Sequence, residues 1–97
     1  MKVINLVENS QKMFQIIGTI KNVKGYCTAH HKTGDSIELS CHNANGLCGY
    51  FYHDIFPSLQ TLQFGGKFPW QADPDTLTVE CPDRYNLVTM ELKRVKP

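Results

Sequence analysis

Polar and apolar positions alternate in four stretches of this chain and follow a helical period in one. From Met13 to Ile20 the run Met-Phe-Gln-Ile-Ile-Gly-Thr-Ile is β-branched and roughly alternating, which predicts a first strand. Its start is left open as far back as Val3. Ser36 to Cys41 alternates as well and places Ile37, Leu39 and Cys41 on one face of a second strand. Between these strands His30-His31-Lys32-Thr33-Gly34-Asp35 reads as a turn in which Gly34 is free to adopt positive φ. His42-Asn43-Ala44-Asn45-Gly46 then breaks the chain, because Asn and Gly tolerate left-handed turns.

The helical period follows. Ile55, Leu59 and Leu62 recur at the spacing of a core-facing stripe. Asp54 is the expected N-cap, and a start there puts Pro57 at the third helical position, where its missing N–H has no partner to lose. Gly65-Gly66 supplies the stop. Thr76 to Cys81 and Leu87 to Leu92 are two further strands, and the short link Pro82-Asp83-Arg84-Tyr85-Asn86 suits an antiparallel hairpin. The expectation is an α+β fold: a small, mostly antiparallel β-sheet of about four to five strands with one central α-helix. Residues 1–12 have no clean period and are expected to form a loose arm or the beginning of the first strand.

Size agrees with a single domain over residues 1–97, large enough to bury roughly two-thirds of the surface of the unfolded chain. Ten basic and nine acidic side chains leave a net charge of +1. There is no run of like charge, and only the end, Lys93, Arg94 and Lys96, is mildly basic. That balance argues against nucleic acid or an anionic membrane as the main partner. Asn5, Glu8, Asn9 and Ser10 interrupt the first residues before an apolar run reaches signal or membrane length, so a soluble, cytoplasmic protein is expected. In a reducing compartment the four cysteines, Cys27, Cys41, Cys48 and Cys81, are free thiols; outside it their number allows two bridges.

Several pieces occur together: Cys27, Gly34-Asp35, Gly46-Leu47-Cys48, Asp54-Ile55-Phe56-Pro57, Phe64-Gly65-Gly66-Lys67-Phe68-Pro69-Trp70 and Cys81. Together they resemble a small prokaryotic family of about this length and uncharacterised activity. The resemblance covers most of the chain from Cys27 to Val95, and Phe64 to Trp70 is its most specific part. One position departs: the family often carries a Cys-Cys pair in its late strand, whereas Glu80 precedes Cys81 here. The resemblance implies the fold boundaries and several thiols, and brings no activity with it.

The sharpest chemical expectation is a soft-metal site. Cys27, Cys48 and Cys81, with His53 or Cys41 as a fourth ligand, make a Cys₃His or Cys₄ set suited to zinc or iron. Against it stand the absence of a Cys-x-x-Cys pair and the tendency of free cysteine to be buried as a small hydrophobe. Cys48 precedes the helix, and His53 could serve it as a base, which makes a thiol enzyme or redox protein the rival reading. On a continuous helix, however, His53 points away from Cys48. Asp54 as the cap also opposes a thiolate there. Trp70, Phe68, Tyr50, Tyr52 and Phe56 are expected in the core, with an apolar pocket as the alternative. A third reading is an interaction domain whose Phe68-Pro69-Trp70 loop and edge strand bury against a partner, including a second copy of the chain.

Overall fold

The structure, a computed structural model, describes residues 13–27 and 29–95. The expected arm or early strand in residues 1–12 lies outside these. The elements are β1 (Gln15–Val23), β2 (Ser36–Leu39), α1 (Gly49–Gln63), β3 (Thr76–Glu80) and β4 (Val88–Val95). The four strands form one antiparallel sheet in the order β2-β1-β4-β3, so the first and last strands pair at its centre. The fold is the expected α+β arrangement of one helix on a small antiparallel sheet.

Alternation sorts the side chains into two faces. Ile16 and Ile20 of β1, Leu39 of β2 and Val88, Met90 and Leu92 of β4 are buried on the inner face, where α1 adds Phe51, Ile55, Leu59 and Leu62 to the same core. Gly18 sits in the middle of that face. A Cβ there would lie 2.7 Å from Met90 Sδ and 3.1 Å from Leu39 Cδ1, so glycine lets the two strands share one packing layer. The outer face is mostly polar: Thr19 is flanked by Ser36 and Glu91, and Ile17 by Glu38 and Lys93.

The helix begins earlier than expected. Cys48, not Asp54, is its N-cap; Asp54 is exposed within it, and Pro57 lies inside rather than in the first turn. The earlier start brings Phe51 into line with Ile55 and Leu59, and Phe51 is only 1% exposed. Burying that ring contributes about 2–3 kcal/mol. With the backbone bonds of the added turn, that offsets the roughly 3 kcal/mol cost of an interior proline. Pro57 and His53, whose carbonyl loses its partner to the proline, are both on the exposed side.

Gly65 ends the helix as expected, at φ +84°, with Gly65 N–H donating to Leu62 O at 3.2 Å and Gly66 N–H to Thr61 O at 2.7 Å. The strand ends also differ from the sequence expectation. β2 stops at Leu39 because Ser40 and Asn43 exchange backbone hydrogen bonds and turn the chain back at Cys41. β4 runs on past Leu92, which carries Arg94 onto the buried face.

Candidate functional site

Three chain segments meet at the same end of the sheet. β1 leaves it at Val23 beside Val88, β3 leaves it beyond Glu80, which pairs with Thr89, and α1 starts there at Gly49. The residues just outside these ends are Cys27, Cys81 and Cys48. All three line one cavity of about 370 Å³, with His31 on the same wall.

Each wall is fixed by local chemistry. The loop from Cys27 to His31 turns on a His30 N–H to Cys27 O bond of 2.8 Å, and His30 itself adopts φ +64°, a left-handed conformation uncommon for a side-chain-bearing residue. Its Nδ1 is 3.1 Å from Tyr26 Oη. That turn delivers His31 to the start of α1, where its Nε2 accepts the Cys48 backbone N–H at 3.2 Å. The bond requires an unprotonated Nε2, which assigns the ring proton to Nδ1 in the neutral imidazole. It also gives one donor at the helix start an acceptor from a different segment of the chain.

Cys81 is buried at the mouth of the β3–β4 link. Its Sγ accepts the Val88 N–H at 3.2 Å and lies 3.6 Å from Asp83 O. Asp83 organises the link: one carboxylate oxygen accepts the Tyr85 and Asn86 N–H groups at 3.0 and 3.2 Å, and the other accepts Asn86 Nδ2 at 3.3 Å. These bonds, those of Asn86 first, hold the Asp83 carboxyl below the usual carboxylate range.

The other two residues expected as ligands are elsewhere. Cys41 does not line the cavity; its backbone N–H donates to Gln63 Oε1 at 2.8 Å, and burial pushes its thiol up, toward the neutral form. Tyr52, raised by its own burial and by proximity to Cys41, donates its hydroxyl to Ser40 O at 2.7 Å and closes that side of the helix. His53 is exposed and shares with Cys48 only a shallow groove beside Ala29 and Tyr50. His31 is the imidazole that reaches the cavity. The sequence carries a signal for it, since Cys27 and His31 are separated by three residues, a close donor pair of mixed type.

Among the described residues, no group of three or more His, Cys, Asp and Glu side chains stands so that it could hold a metal ion. Cys27, Cys41 and Cys48 are half-buried against the core. Tyr50 and Trp70 are 81% and 74% exposed, contrary to the core position expected for them, because Tyr50 sits on the solvent side of the first helical turn and Trp70 stacks on Phe68 within its loop. Among the described residues, no helix is long and apolar enough to cross a membrane. No family model, curated protein or solved structure matches the chain.

Proposed function

We propose that the chain is a small metal-binding module that takes a soft divalent ion, zinc or iron, on the thiolates of Cys27, Cys48 and Cys81. His31, rather than His53, is the imidazole of the site, and Cys41 stands outside it. The observation that carries this reading is the arrival of three of the four cysteines, from three separate elements, at one cavity. Core packing alone does not require that coincidence. Metal–sulfur bonds of about 2.3 Å need sulfurs within about 4 Å of one another. Metal uptake therefore requires the three sulfurs to move together from the arrangement described, and binding energy becomes folding energy. The N–H bond to Cys81 Sγ suits this role, since a charged sulfur is a stronger acceptor than a neutral thiol.

The test is elemental analysis of protein purified anaerobically without an affinity tag. The expected result is near one zinc or iron per chain, lost in Cys27→Ser, Cys48→Ser and Cys81→Ser and kept in Cys41→Ser and His53→Ala. Full metal content in Cys81→Ser, or metal-free wild-type protein that does not take up added zinc, overturns the reading.

One observation favours a second reading, in which Cys48 is a reactive thiol. Cys48 is the N-cap residue of a 15-residue helix whose first turn carries no acidic residue, so the carboxylate expected from an Asp54 cap does not stand beside it. That reading predicts one cysteine in metal-free protein that alkylates well ahead of the other three.

A further inference from the structure

The two edges of the sheet are finished differently. At the β2 edge the following turn takes up outward backbone groups: Asn45 Nδ2 donates to Glu38 O at 3.0 Å, and Ser40 exchanges backbone bonds with Asn43. At the β3 edge the ladder with β4 fixes which groups point out. Cys81 N–H donates to Val88 O and Arg94 N–H to Asp75 O, so Leu77 and Val79, which share that register, bond to β4. Thr76, Thr78 and Glu80 therefore turn their backbone N–H and C=O groups away from it. Thr76 is covered, its N–H donating to Asp73 O and its carbonyl accepting Gln71 Nε2. The backbone groups of Thr78 and Glu80 have no such partner among the described residues, and both residues are exposed. Exposed aromatic rings belong to the segments at both ends of this gap: Trp70, stacked on Phe68 in the loop that carries Gln71, and Tyr85 in the link after Cys81.

We infer that the open part of β3 is the interface between two copies of this chain, which join their sheets through antiparallel β3 strands about a two-fold axis at Val79. Among the registers a two-fold axis allows, this one uses both open residues of both copies. Thr78 of each copy lies opposite Glu80 of the other, which closes four backbone hydrogen bonds. A two-fold axis at Thr78 instead sets Glu80 against Thr76, whose groups are already bonded. An axis at Glu80 sets like charges opposite each other and Thr78 against Pro82, which has no N–H. With the axis at Val79 the pairing stops where the strand does, because Thr76 and Pro82 then face each other. The half-buried Val79 meets its own copy at a closely spaced pair, which covers its remaining apolar surface. The antiparallel arrangement also brings the Phe68–Trp70 loop of each copy to the 82–86 link of the other. Trp70 and Tyr85 of the two copies offer on the order of 600–1,000 Å² to such a joint, the size of a weak, reversible interface. Pro82, Asp83 and Asn86 of that link line the cavity that Cys81 shares, so each copy's aromatic loop borders the other's cavity. The inference does not depend on whether that cavity takes a metal.

The experiment is sedimentation equilibrium of the full chain from about 10 μM to about 1 mM, in reductant so that no disulfide joins two copies, with amide hydrogen exchange at both ends of that range. The expected result is a reversible monomer–dimer equilibrium. The Thr78 and Glu80 amides should exchange several-fold more slowly in the concentrated protein, while those of Leu77 and Val79, already bonded to β4, stay as they are. Thr78→Pro removes an outward N–H without taking a bond from β4, a place where an edge strand tolerates proline. It is expected to remain monomeric with the urea midpoint near that of the wild type. Thr78→Lys sets a cation opposite Glu80 of the other copy and is expected to tighten the dimer severalfold. A wild type that stays monomeric at about 1 mM overturns the inference, and so does a dimer that Thr78→Pro leaves intact. If Thr78→Pro does not fold, the wild-type exchange rates decide: slowing with concentration that spares Thr78 and Glu80 places the contact elsewhere and overturns it. If both amides are already protected in dilute monomer, the chain covers its own edge and the second copy is overturned. A dimer weakened by Thr78→Lys sets Thr78 against Thr78 and overturns the axis at Val79.

Discussion

The two ends of α1, about 22 Å apart for its 15 residues, are built on opposite plans. At its C-terminal end Arg94 is buried, with each of its guanidinium nitrogens donating at least one hydrogen bond. Its guanidinium donates to Leu62 O at 3.1 Å, Gly66 O at 2.6 Å, Pro74 O at 2.9 Å and Asp75 Oδ1 at 3.1 Å, and lies 4.9 Å from the Phe14 ring centroid. One of those acceptors, Leu62 O, is a carbonyl of the last helical turn, where a cation also meets the negative pole, and Gly66 O lies just beyond the helix stop. At the N-terminal end no side chain caps the helix, and thiols, an imidazole and aromatic rings surround a cavity instead. One end closes hydrogen bonds on itself, while the other keeps soft donors facing open space. That contrast separates the part of the molecule that holds the fold from the part available for chemistry.

Removing the guanidinium is the largest test of this division. Arg94→Met keeps most of the buried stem but removes the charged donor from the Gly66 and Pro74 carbonyls and leaves Leu62 O with the Gly65 N–H alone. A loss of about 3 kcal/mol is expected, because bonds from a charged donor to buried acceptors are among the stronger ones. Asp75 is more than half exposed, so the ion pair is the lesser part of that loss. The urea midpoint should fall with an unchanged slope. Under native conditions the metal content should stay as in the wild type. A loss below about 1 kcal/mol would reduce Arg94 to an ordinary surface pair, and a changed metal content would show that the two ends are not separate.

How much of this was legible in the sequence follows the same divide. The strands and the helix stripe are repeating signals, and repetition survives small local conflicts. Arg94 was legible in principle: Val88, Met90, Leu92 and Arg94 share one parity, and the alternation that buries the first three also turns the fourth inward. Its charge makes it read instead as part of a mildly basic end. The helix start was misplaced because the Asp54 and Pro57 signals are local, whereas Phe51 gains its burial from a sheet that residue spacing alone does not reveal. The meeting of Cys27, Cys48 and Cys81 at one cavity depends on the strand order β2-β1-β4-β3, which periodicity does not contain. His31 was passed over for His53 because nearness to Cys48 in sequence was weighed, while the turn at His30 that brings His31 to the helix start has no periodic mark.

A smaller effect is expected in acid, where each end has one carboxylate held below its usual range. Asp73 is lowered mainly by the Asp75 N–H, and Asp83 mainly by the Asn86 N–H. A carboxyl whose pKa is lower in the folded state contributes stability that is fully present above its unfolded value, near about 4. That stability is lost as the pH falls through the folded value. Stability should therefore be flat through neutral pH with respect to these two groups and decline only below the ordinary carboxylate range. The Tyr85 and Asn86 amide resonances should move together in that window, and Asp83→Asn should remove the response while leaving that of the Asp75 amide. If Asp83→Asn also flattens the Asp75 response, the two ends are coupled and the division fails.

The smallest expected effect is the most exacting test of where the N-terminal end begins. An aspartate that caps a helix contributes about 1 kcal/mol through its bond to the free N–H groups of the first turn. The same residue exposed inside a helix has no such group to serve, and its replacement falls within about 0.5 kcal/mol of neutral. Because Cys48 is the cap and Asp54 is exposed within α1, Asp54→Ala should leave the urea midpoint essentially in place. A loss near 1 kcal/mol would move the helix start back to Asp54 and take Phe51 out of the buried stripe. It would also remove the Cys48 amide from the helix start, and with it the geometry that directs His31 and Cys48 to the same cavity.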